Sequence, residues 1–169
     1  MLLTYFQAAP RRVLALVSVG CVAMLAFGLY LQHVVGLEPC PMCIVQRYAL
    51  MLVAIVSGIT ALANKKGLLL TGSAVTLLAA GFGAFVAARQ SFLQWYPPEE
   101  ASCGRDFYGM IEMFPLQRVI PMIFKGSGDC TKIDWTFLGL SIANWSFLCF
   151  TAIALVMLAL LVLRARKPA

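Results

Sequence analysis

Residues 44 to 88 read IVQRYALMLVAIVSGITALANKKGLLLTGSAVTLLAAGFGAFVAA. Two apolar runs, 44–63 and 68–88, are separated by a short break that carries Lys65 and Lys66. A helix rises about 1.5 Å per residue, so roughly 20 residues cross the ~30 Å hydrocarbon core of a bilayer. Each arm meets that length, and the one charge inside either arm is Arg47, in the first turns of the earlier one. A tight turn with two lysines and no acid has the character of a cytoplasmic membrane loop.

The same pattern continues outward. Runs 13–31 and 145–163 carry no charge; Arg11 and Arg12 precede the first, and Arg164, Arg166 and Lys167 follow the last. Four spans bring both termini to one side, and the basic clusters assign that side to the cytoplasm. A short outer loop then covers about 32–40 and a long outer segment about 89–144. All seven acids (Glu38, Glu99, Glu100, Asp106, Glu112, Asp129, Asp134) fall in these two. Tyr30, Tyr48, Trp95, Tyr96 and Trp145 stand near the outer ends of the runs, as an interfacial aromatic belt does.

Composition agrees. The 169 residues are 62% hydrophobic and 12% charged, against roughly 25% charged in soluble domains. The net charge of +6 flanks apolar runs and makes no basic face, so nucleic acid is excluded as a partner. The first run exceeds the roughly 7–15-residue core of a signal peptide and reads as a retained span. The chain is therefore expected to be a single all-α domain, 1–169: a four-transmembrane-helix bundle with a long outer loop. Within that loop, Leu116, Val119 and Ile120 stand at helical spacing opposite Gln117 and Arg118, either a short amphipathic helix on the membrane or a loop packed on the bundle. Small residues at 80, 84 and 88, and at 79, 83 and 87, equip the third helix for close packing, with a slot for a flat ring as the alternative.

Of six cysteines, Cys21 and Cys149 lie within apolar runs and read as small packing residues. Cys40-Pro41-Met42-Cys43 is a Cys-x-x-Cys at the outer start of the second helix. Pro41 fits the first helical turn, where its missing N–H costs nothing. The positive end of the helix then faces the thiols and favours thiolate, the reactive form. Arg47 follows Cys43 by one helical turn, and all three share a face; Gln46 adds a hydrogen-bonding group. An ionisable side chain at the membrane edge beside two thiols is a functional candidate. Half of a zinc site is the competing reading, but zinc usually wants a second close pair, and Cys103 and Cys130 are far apart in sequence. An inert Cys40–Cys43 bridge would constrain the unfolded chain little. Cys103 and Cys130, among glycines and polar residues, are expected to be exposed and mobile. In an oxidising compartment they suit a bridge, either redox-active or a loop staple.

Cys40-Pro-Met-Cys43 with Gln46-Arg47, Gln32-His33 upstream, Gln94-Trp95-Tyr96-Pro97, Cys103, Ser127-Gly128-Asp129-Cys130 and Trp135-Thr-Phe-Leu-Gly139-Leu form an ordered set. That set resembles the bacterial disulfide bond formation family DsbB, from the first span to the last. The resemblance implies a multi-pass enzyme of the bacterial inner membrane that reoxidises a periplasmic DsbA-like thiol oxidase and passes the electrons to ubiquinone or menaquinone. It implies that the partner's thiolate attacks Cys103, that Cys130 is its bridge mate, and that Cys40 pairs transiently with Cys130. It further implies that Cys43 faces the quinone and that Arg47 stabilises negative charge on thiolate or ring. At one position the chain departs: Gln90 stands where better-known members carry His, with Arg89 beside it as an electrostatic substitute. A four-cysteine metal-binding membrane protein and a vitamin K epoxide reductase-like enzyme are the alternatives; the motif order fits the DsbB family better.

Overall fold

The computed structural model describes residues 10–63, 65–97 and 128–165. The segment expected to carry the amphipathic helix, and Cys103 with it, lies outside the described residues. Helix α1 spans Pro10–His33, α2 Pro41–Leu62 and α3 Lys66–Trp95. A four-residue helix, α4 (Gly128–Thr131), precedes a two-stranded hairpin of β1 (Thr136–Phe137) and β2 (Leu140–Ser141), and α5 runs over Ile142–Ala165. The long helices α1, α2, α3 and α5 are apolar and long enough to cross a membrane, and the chain is an all-α four-helix membrane protein. Their outer surface is oily: Leu62 and Leu78 are 78% and 73% exposed, a distribution that suits lipid and not water.

The main packings are α1 on α2, α2 on α3 and α3 on α5. Helix α1 buries Val13, Leu14 and Cys21, and α5 buries Phe150, Ile153, Met157 and Leu160. A Cβ on Gly83 of α3 would collide with the Phe150 ring, and one on Gly72 would collide with Thr60 of α2. The stripe of small residues thus serves close packing, and the flat ring it admits is the chain's own Phe150.

Several hydroxyls inside the spans are satisfied along their own helices, as an environment without water favours. Ser57 donates to the Val53 carbonyl at 2.6 Å, Ser73 to Leu69 at 2.7 Å and Thr76 to Gly72 at 2.8 Å, each one turn back along its helix. Ser18 reaches across from α1 to the Ala54 carbonyl of α2 at 2.8 Å. At the end of the bundle that carries the Lys65–Lys66 turn, Arg11 Nε donates to the Ala61 carbonyl at 2.8 Å. That bond places the N-terminal basic cluster beside the turn, at the end opposite Cys40 and Cys43.

Helix α3 overruns its apolar run. It passes Arg89 and ends at Trp95, just before Pro97 and Pro98, because helix ends are set by backbone sterics and not by the edge of the lipid. Thirty residues make about 45 Å of helix, more than the hydrocarbon core needs, so its outer turns are available to build a site. The hairpin turns through Leu138 (φ 52°) and Gly139 (φ 78°), the two left-handed residues that a two-residue type I′ turn requires. Ser141 then caps α5, accepting from the Asn144 N–H at 3.4 Å and donating to Gln94 Oε1 of α3 at 2.6 Å.

Candidate functional site

Cys40 is the N-cap of α2, with Pro41 in the first turn as the sequence predicts. Its sulfur accepts from the Cys43 N–H at 3.3 Å, so the free donors of the helix start are turned toward it. The Cys40 and Cys43 sulfurs are 2.7 Å apart, inside contact distance and longer than the ~2.05 Å of a disulfide; both are thiols here. Cys40 also shares a side-chain hydrogen bond with Cys130. That bond, then the one with Cys43, then burial hold the Cys40 thiol well above the ordinary cysteine range.

Cys130 is fully buried, which corrects the expectation of an exposed, mobile thiol. Its glycine and polar neighbours describe the connecting chain, whereas the cysteine itself, carried on α4, packs with Met42, Val86 and Leu93. Three of the four singled-out cysteines therefore meet at the end of α2 and α3 opposite the Lys65–Lys66 turn; Cys103 lies outside the described residues.

The residue closest to this pair that sequence reasoning left without a role is Gln90. It is 3% exposed, and its Nε2 donates to Cys40 Sγ at 3.2 Å and to Cys43 Sγ at 3.3 Å. Its Oε1 accepts from Gln46 Nε2 at 2.7 Å. Arg89, the expected electrostatic substitute, instead stacks over the Phe92 ring, 5.7 Å from its centroid. The one signal in sequence was that Gln90 departs from the resembled pattern.

A cavity of about 820 Å³ lies between α1, α2 and α5. Cys43, Gln46 and Arg47 line it from α2, Gly28 and Gln32 from α1, and Trp145, Cys149 and Phe150 from α5. Trp135 and Phe137 line it beside Trp145. Phe27, Trp135, Phe137 and Trp145 form a continuous aromatic rim with successive centroids 6.0, 6.1 and 6.0 Å apart, tied by Trp145 Nε1 donating to the Phe137 carbonyl at 3.0 Å. The hydrogen bonds of Arg47 run across to α1, to Gln32 Oε1 and to the Gly28 carbonyl at 3.1 Å. Arg47, one helical turn beyond Cys43, lines the same cavity as Cys43. Among the described residues, no group of three His, Cys, Asp or Glu is arranged to hold a metal ion.

An 820 Å³ apolar cavity with a few convergent polar groups is of the size and character that receives a small organic ligand. Beside it, two adjacent thiols with a third in hydrogen-bond reach can exchange disulfide bonds with little movement. Residues 10–160 match the family described as "Disulfide bond formation protein DsbB". Among curated proteins, the chain is 81% identical to a "Disulfide bond formation protein B" of Polaromonas sp. (strain JS666 / ATCC BAA-500), over 99% of each chain. It is 68% identical to that of Paracidovorax citrulli (strain AAC00-1), over 100% of this chain and 96% of the other. It is 52% identical to that of Aromatoleum aromaticum (strain DSM 19018 / LMG 30748 / EbN1), over 79% and 81%.

Proposed function

Because the chain belongs to the DsbB family of membrane disulfide bond formation proteins, we propose that it takes electrons from a periplasmic DsbA-like dithiol and delivers them to ubiquinone or menaquinone. The observation that carries this reading is position: the Cys40–Cys43 pair stands between the Cys130 sulfur and a cavity fit for a lipid-soluble ring.

The thiol chemistry runs as a series of exchanges in which one S–S bond forms as another breaks. A thiolate of the reduced partner attacks Cys103 of a Cys103–Cys130 disulfide, and Cys130 leaves as thiolate. The partner's second thiol displaces Cys103, so the partner departs oxidised. Cys130 attacks Cys40 of the oxidised Cys40–Cys43 pair and releases Cys43 as thiolate. Cys103 then attacks Cys130, restoring the outer disulfide and leaving Cys40 and Cys43 reduced by two electrons. Their exit is Cys43, whose sulfur faces the cavity. A bound quinone supplies an acceptor for two electrons and two protons. Arg47 offers positive charge and planar donors to the oxygens of such a ring, and the aromatic rim shields the site from water.

Purified protein, a reduced DsbA-like partner and quinone test the reading: quinone absorbance is expected to fall as the partner is oxidised. Absence of that change sinks it. Mixed with oxidised partner, Cys130→Ser is expected to accumulate the partner as a mixed disulfide on Cys103: the Cys103 thiolate attacks the partner's disulfide, one partner sulfur leaves as thiolate, and no Cys130 thiol is there to displace the partner. Attachment of the partner to Cys40 would overturn the proposed path.

The orientation belongs to the same proposal: both termini and the Lys65–Lys66 turn are cytoplasmic, and the cysteines periplasmic. Reporter fusions after Lys66 and after Arg166 are expected to read inside and one near Gly126 outside; an outside signal at the C-terminus rejects the arrangement.

A further inference from the structure

Gln90 and Gln46 are buried glutamines facing each other across α3 and α2, at the level of the thiols. A glutamine amide has two N–H donors and one carbonyl acceptor. Every one of those functions on Gln90 is engaged: one donor reaches each sulfur of the Cys40–Cys43 pair, and the carbonyl receives the Gln46 donor. With Gln46 holding the oxygen, the NH2 group is turned to the sulfurs. Burying two amides beside two thiols is costly unless their hydrogen bonds are made, so this arrangement selects one side-chain geometry.

We propose that Gln90, locked by Gln46, is the donor that positions the Cys40 and Cys43 sulfurs and stabilises the negative sulfur formed when their bond opens. This rests on the proposed exchange path for its purpose. When an attacking thiolate forms a bond to one sulfur of the pair, the other leaves with the electron pair of the broken S–S bond. A neutral amide holds that charge by hydrogen bonds and, unlike imidazole, does not take up a proton at physiological pH in competition with sulfur. Gln46 also lines the cavity, so one hydrogen-bonded chain runs from the cavity wall through Gln90 to both sulfurs.

The test uses the full chain, reduced in detergent, with no quinone and no partner. The rate at which a maleimide alkylates the Cys40–Cys43 dithiol is followed by mass spectrometry of the peptides. A hydrogen bond to a charged group is worth enough to change a thiolate population by about tenfold. Gln90→Leu, which deletes the donors, is expected to slow alkylation at pH 7 by about tenfold, with the rate recovered as pH rises. Gln90→Glu keeps the shape but presents acceptors and a negative charge, so it is expected to be slower than Leu. Gln46→Leu leaves the amide unlocked and is expected to fall between wild type and Gln90→Leu. Thermal unfolding of each variant confirms that the compared proteins are folded. A Gln90→Glu protein that alkylates at the wild-type rate, or a Gln90→Leu loss that higher pH does not recover, reduces Gln90 to a packing residue and overturns the proposal. The expected alkylation series in a protein that fails to reduce quinone upholds the Gln90 role and removes only the quinone reading.

Discussion

Cys43→Ser is expected to abolish quinone reduction by a reduced partner, a loss of roughly a thousandfold or more, because thiolate is the nucleophile and an alcohol does not replace it. The geometry further predicts where the protein stops. Cys40 shares a hydrogen bond with Cys130 and has lost the neighbour with which it would close a bridge. Exchange with the Cys103–Cys130 disulfide then joins Cys40 to Cys130 and releases Cys103 as a thiol, with no oxidant consumed. Peptide mapping of the unreduced variant is expected to recover residues 40 and 130 in one linked pair. Retained turnover would show that Cys43 is not the exit for electrons, and a link from Cys40 to Cys103 would show that the buried position of Cys130 does not decide the pairing.

Arg47→Ala is expected to lower quinone kcat/KM by about a hundred- to a thousandfold, the scale seen when one preorganised charge-stabilising donor is removed from a protected site. Its guanidinium is held by Gln32 and the Gly28 carbonyl, so it is set in place before any ring arrives. In surroundings of lower dielectric than water, a fixed positive charge has a longer and stronger reach. Lys is expected to restore only part of the rate, since it keeps the charge and loses the planar fork. Transfer of electrons from the partner as far as the Cys40–Cys43 pair should be unchanged, because Arg47 faces the cavity and not Cys130. Wild-type kinetics in Arg47→Ala would leave the residue as a tether between α1 and α2 and nothing more.

The four helices were legible because lipid leaves few solutions. Every backbone polar group must be satisfied within the segment, and basic residues sort to one side; Lys65 and Lys66 alone divide the second helix from the third. The cap at Cys40 was legible too, since Pro41 restricts what its neighbours can do. The contacts that complete the site were not. Gln90 follows the end of an apolar run, with Arg89 before it and Ser91 after, and its partners lie 44 and 50 residues away in sequence. A pairing of that kind is made by the packing of α2 on α3 and leaves no local trace. Arg47 illustrates the reverse: its spacing from Cys43 fixes one helical turn, while the reach of its long side chain across to α1 is not written in local spacing. Glycines around Cys130 mark a flexible connection, and a flexible connection can still deliver a buried side chain. The hairpin through Leu138 was hidden for a similar reason, because leucine is not a residue that announces a positive φ.

The burial of Cys130 on α4, with Cys40 only 7% exposed, bears on fidelity. The periplasm contains small soluble thiols and many half-folded secreted chains, all chemically able to attack a disulfide. A relay open along its whole length would be short-circuited by them, spending oxidising equivalents on adventitious reductants. On the proposed exchange path, an enclosed Cys40–Cys130 junction insulates that step from such reductants, and selectivity falls to the step at which the partner is recognised.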